Sequence, residues 1–156
     1  MNDEDFFRWS MAAYGAPISC EKQYTTKAEL NQLLKKALEY GRKSAEINSI
    51  LPVFIYKNKD SFDWNLIISS TKEKAYLGYL LNTIHSYRDT PDLAEIYAQL
   101  YKQASPMRKK FLIQKEKIGK FIEKRMNEND NEIAKTWRFK TLDSLENNKK
   151  RFEKWL

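Results

Sequence analysis

ILPVFIYKNKDSFDWNLIIS, residues 50–69, is the stretch on which the fold class turns. It is rich in β-branched and aromatic residues, which favour a pleated, half-buried surface. Ile50 to Tyr56 and Phe62 to Ser69 read as two strands, with Asn58, Lys59, Asp60 and Ser61 between them, so the stretch predicts a β-hairpin. In the second strand Phe62, Trp64, Leu66 and Ile68 alternate with Asp63, Asn65, Ile67 and Ser69, which predicts one apolar face lying on helices. A lone hairpin is marginal in water and needs such a partner.

The flanks supply the helices. Upstream, Asp3 to Tyr14 reads as a short helix closed near Gly15 and Pro17. Thr26, with Glu29 three residues on, is a capping-box pattern opening a helix through about Glu46, with Leu30, Leu33, Leu34, Ala37, Leu38 and Gly41 on its buried face. Downstream, Thr71 is expected to cap a helix to about Tyr87. Thr90, Pro91 and Asp92 supply a cap, a proline at the first helical position and an acid at the positive end of the dipole, for a helix to about Gln103. Ser105-Pro106 repeats that start signal for a long helix to about Met126. The polar run Asn127 to Asn131 then turns the chain into a last helical stretch, broken near Phe139 to Thr141. The expected architecture is mainly α: a single-domain helical bundle over residues 1–156 with one β-hairpin at about 50–69. A long antiparallel helical hairpin, basic in character, is expected over 106–156.

Composition agrees with a folded chain. Of 156 residues, 42% are apolar, 31% charged and 13% aromatic, which excludes the composition of a disordered chain. Four glycines and four prolines leave few tight turns and argue against a sandwich or barrel. Cys20 is the one cysteine, so neither an internal disulfide nor a cysteine-based zinc site can form, and a reducing, cytoplasmic setting is expected. The start, MNDEDFFRWS, has no basic stretch followed by an apolar run, and no segment reaches the ~18 apolar residues of a membrane span. Neither export nor a membrane partner is expected.

The net charge of +7 is unevenly distributed. Residues 1–101 hold 12 Lys/Arg against 13 Asp/Glu, and residues 102–156 hold 16 against 8. On a helical wheel of about 100° per residue, Met107, Phe111, Ile118, Phe121 and Ile122 share one face of the 106–126 segment. Lys109, Lys110, Lys117, Lys120 and Lys124 fall within an arc of roughly 100° on its flank, and Lys150, Arg151 and Lys154 share a similar arc on the last helix. Two such stripes could neutralise several phosphates, with salt-sensitive and mostly sequence-independent affinity. Nucleic acid, or a complex containing it, is thus the first expected partner of a non-enzymatic accessory protein. An acidic protein surface would satisfy the same lysines, as expected of an inhibitor, adaptor or chaperone module. Lysines that only keep an amphipathic helix solvated would give the same pattern. Oligomeric state stays open, because the apolar stripe of 142–156 could close either a hairpin or a dimer.

Catalytic raw material is sparse. His85, the single histidine, ends an apolar helix and reads as a capping or half-buried residue; a catalytic role would need Cys20 or an acid brought to it by the fold. Gly15, Gly41, Gly78 and Gly119 form neither a dinucleotide fingerprint nor a phosphate-binding loop. The pairs Asp60/Asp63 and Asp89/Asp92 fit turn and cap roles better than metal ligation. Trp64, Trp137 and Trp155 could stack on bases, but each sits in an apolar pattern that burial explains. No catalytic residue, metal or cofactor is expected.

Overall fold

A computed structural model of the chain describes residues 3–104, 111–112, 131–141 and 143–156. Six helices run from the N-terminal side: α1 (Asp3–Ala13), α2 (Leu30–Gly41), α3 (Ala45–Asn58), α4 (Trp64–Ser70), α5 (Lys74–Tyr87) and α6 (Pro91–Ala104). The C-terminal part contributes β1 (Phe111–Leu112), α7 (Glu132–Thr136), β2 (Phe139–Lys140) and α8 (Leu145–Trp155). The two short strands pair in parallel, Phe111 with Phe139 and Leu112 with Lys140. The protein is mainly α, and among the described residues no helix is long and apolar enough to cross a membrane.

The hairpin expected at 50–69 is absent; the stretch forms the last two turns of α3 and nearly all of α4. Ser44 opens α3 by accepting a hydrogen bond from Ile47 N, and Asp63 opens α4 in the same way with Leu66 N. The strand-like composition has a tertiary cause. Ile47, Asn48, Ile50, Leu51, Val53, Phe54 and Ile55 are all buried, so α3 is covered almost all round and shows no polar face to mark a 3.6-residue period. In α4 the neighbours Ile67 and Ile68 are both buried while Leu66 is exposed, which no strand alternation allows. Pro52 inside the first apolar run was a contrary signal, since proline cannot complete a strand ladder.

Two further boundaries differ from expectation. Glu29 itself caps α2, its carboxylate accepting from Asn31 N (3.0 Å) and Gln32 N (2.9 Å), so the helix starts at Leu30 and ends at Gly41. Those backbone donors hold the Glu29 carboxyl below its usual range. The last helical stretch is interrupted where expected: β2 lies between α7 and α8. Most of the first arm of the expected C-terminal helical hairpin, 106–126, lies outside the described residues, and the two described within it, Phe111 and Leu112, form β1 rather than helix. At the other end, α1 closes as expected at Gly15, whose φ of 91° is a left-handed value that glycine adopts without penalty.

The core is one cluster running from Phe7 and Met11 of α1 to Phe152 of α8. Its centre is α5, in which Ala75 through Leu81, Thr83 and Ile84 are all buried. Helices α3 and α6 pack on α5, α2 backs α3, and α8 lies across α3. Gly78 is the point of closest approach: the benzo ring of Trp137, 4% exposed, lies directly on the α5 backbone there. A Cβ at Gly78 would overlap Trp137 Cη2 and Cζ3 and come within 2.8 Å of Cζ2.

Gly78→Ala therefore tests how the C-terminal part is seated. Alanine improves helix propensity by about 1 kcal/mol, but displacing a buried indole costs about 1–3 kcal/mol and leaves Trp137 partly unpacked. Urea unfolding is expected to show a net loss of stability, with Trp137 more exposed to quenchers. A variant as stable as the parent would contradict this packing.

Candidate functional site

The excess positive charge lies in the C-terminal part, so what positions that part positions the candidate site. A chain of buried polar groups does so. Tyr76 of α5 donates its hydroxyl to Asn48 Oδ1 of α3 at 2.5 Å, and Asn48 Nδ2 donates to Asp143 Oδ2 at 3.3 Å. Asn131 Nδ2 donates to the Asp143 carbonyl at 3.0 Å and to Tyr79 Oη at 3.3 Å, while Asn131 Oδ1 caps α7 by accepting from Ala134 N at 2.9 Å. Tyr87 Oη donates to the Leu145 carbonyl at 2.8 Å. Arg42, nearly buried, pairs with Glu73 at 2.8 Å and lies over the rings of Tyr76 and Phe139.

These contacts set the rotation of α8. Phe152 is buried and Leu145, Asn148, Arg151 and Trp155 are half-buried, so the inward stripe holds two polar residues. Arg151 reaches Asp143 Oδ1 at 3.2 Å and also donates to Asn148 Oδ1. Its guanidinium is thus committed to the scaffold, at the edge of the arc that the sequence assigns to solvent. Lys150 and Lys154 do stand outward; Lys150 meets Glu146 at 3.4 Å, one turn away. Lys149, not singled out in the sequence, is also exposed, and neither it nor Lys154 has an ion-pair partner among the described residues. Glu153 is drawn aside by Arg88 at 2.7 Å. Arg138 is exposed at a positive φ of 62°, between the inward-facing Trp137 and Phe139. Lys109, Lys110, Lys117, Lys120 and Lys124 lie outside the described residues; within them, the expected surface is the outward face of α8.

His85 caps rather than converges. Its Nδ1 accepts from Thr90 N at 3.2 Å and lies 3.1 Å from Thr90 Oγ1, and its ring packs at a tilt against Tyr97. An Nδ1 that accepts a backbone N–H leaves the proton of a neutral ring on Nε2. Among the described residues no three His, Cys, Asp or Glu side chains are grouped to hold a metal ion. A groove of about 370 Å³ between α1 and the α2–α3 junction contains Arg8 and Glu46, which satisfy each other at 2.5 Å.

Burial of the anchoring phenols has a pH consequence. It pushes Tyr79 up to about 12, partly offset by hydrogen bonding to Asn131, and raises Tyr76 and Tyr87 as well. Unfolded tyrosine ionises near 10, so above that pH the unfolded chain binds fewer protons than the folded one and stability falls as pH rises. The contribution is complete below about 10 and is lost through about 12. An ultraviolet phenolate titration followed alongside circular dichroism is expected to show these three tyrosines ionising late, together with loss of helix. Ionisation of all nine tyrosines near 10 with the helices intact would contradict it.

Compared with known proteins, the chain matches no family model, no curated protein and no solved structure.

Proposed function

We propose that the protein is a non-enzymatic, basic accessory protein that binds nucleic acid chiefly through the phosphate backbone, using its C-terminal lysine-rich surface. The observation that carries this reading is the sorting of charge on α8. Lys149, Lys150 and Lys154 are exposed; of the two acids on the helix, Glu153 is taken up by Arg88 and Glu146 pairs with Lys150, so Lys149 and Lys154 have no ion-pair partner among the described residues. A helix whose lysines outnumber its acids on the water-facing side offers a positive stripe to a polyanion. The remainder of the stripe assigned by the sequence, Lys109, Lys110, Lys117, Lys120 and Lys124, belongs to the same basic third of the chain. Neutralising phosphates releases condensed counterions, giving affinity that falls steeply with salt and depends little on sequence.

The test is binding of a labelled duplex and a labelled single strand at low salt, read by fluorescence anisotropy. The variant is the triple charge reversal Lys149→Glu, Lys150→Glu, Lys154→Glu. Affinity is expected to drop by at least about tenfold, and the salt slope to shrink by roughly one per lysine, with an unchanged melting temperature because none of the three is buried. Arg151→Ala is the complementary control: it should lower stability by about 1 kcal/mol, a figure reduced for its partial exposure, through loss of Asp143. Unaltered affinity in the triple variant would overturn the reading. Capture of an acidic protein, with no binding to either oligonucleotide, would transfer the surface to a protein partner.

A further inference from the structure

A cleft of about 340 Å³ opens where α5, α6 and the end of α7 meet. Its walls are almost wholly apolar and include Tyr97 and Tyr101 of α6 and the indole of Trp137, with Asn82 and Lys102 also lining it. Both tyrosine rings stand edge-on to the indole: Tyr101 at 5.3 Å and 88°, Tyr97 at 6.5 Å and 81°. Tyr101 is 47% exposed, one of the three large apolar side chains that remain uncovered among the described residues. Trp137 also carries the one buried side-chain nitrogen with no hydrogen-bond partner among the described residues, Nε1. An unmade buried donor is costly and rare in folded proteins, and it calls for an explanation.

We infer that this cleft receives an unpaired nucleobase of a single strand, stacked on Tyr101, while basic residues of the C-terminal segment hold the strand's phosphates. The inference rests on the nucleic-acid reading above and deepens it. Two observations favour a base over a purely apolar guest. The walls are aromatic, and every base has a π-face for such walls. Lys102 opens the segment 102–156, in which 16 basic residues face 8 acidic ones, so a polyanion is the complementary partner. A base paired within a duplex presents neither free face and would be excluded.

Two substitutions test this without touching the phosphate-binding lysines. Tyr101→Ala removes the exposed stacking surface, and Ala98→Leu fills the cleft from an exposed position on α6. Each is expected to weaken binding of a labelled oligothymidylate by about tenfold, with binding to a duplex of equal length, the salt slope and the melting temperature all unchanged. Equal affinity of parent and variants for the single strand would overturn the inference while leaving the phosphate-binding reading intact. So would a fall in melting temperature that accompanies any loss of affinity, because it would make the cleft part of the fold. Failure of the parent protein to bind either oligonucleotide at low salt would remove the nucleic-acid reading and this inference with it.

Discussion

Asp143 is the residue on which the arrangement of the C-terminal part depends, because its side chain and carbonyl together accept from three elements. Asn48 of α3 and Arg151 of α8 approach the carboxylate, and Asn131, which also caps α7, approaches the carbonyl. None of these bonds is strong alone, since folding exchanges them for bonds to water, but each group is wholly or partly removed from solvent and would be costly unpaired. The interlocking of these groups fixes which side of α8 faces inward. It therefore also fixes which lysines face outward, and the link from core packing to candidate function passes through this one junction.

The apolar side of the same junction is Trp137 on Gly78. A glycine in the middle of a largely buried helix weakens that helix intrinsically, yet here it gives the indole direct access to the α5 backbone. The same tryptophan supports Tyr97 and Tyr101 of α6. Packing that seats the C-terminal part and packing that shapes the aromatic cleft thus share one side chain. Tyr76, Tyr79 and Phe139 extend this aromatic layer toward Arg42, whose charge is met by Glu73 and by ring faces.

Local signals in the sequence were legible where local chemistry decides the outcome. Thr90-Pro91-Asp92 starts α6 at Pro91, Gly15 closes α1, and the interruption near Phe139 separates α7 from α8. Residues 50–69 were misread because α3 is buried on nearly every side, and full burial erases the periodicity by which a helix is recognised. The half-burial of Arg151 was not legible for a related reason. A helical wheel sends polar residues outward, whereas Asn148 and Arg151 face inward, Asn148 to meet Tyr79, distant in sequence, and Arg151 to meet Asp143, just ahead of the helix. Lys149 was passed over in the same step, though the rotation that turns Arg151 in leaves it exposed. Nothing local in the sequence joins Tyr101 to Trp137, and the cleft between them exists only by tertiary contact.

The most direct measurement of the central claim is the dependence of oligonucleotide affinity on salt concentration for the parent protein. If the C-terminal lysines act on phosphates, the logarithm of the association constant falls linearly with the logarithm of salt concentration, with a slope of about −0.9 per phosphate neutralised on a duplex and a shallower one on a single strand. Affinity that is flat with salt, or absent even at low ionic strength, would contradict it.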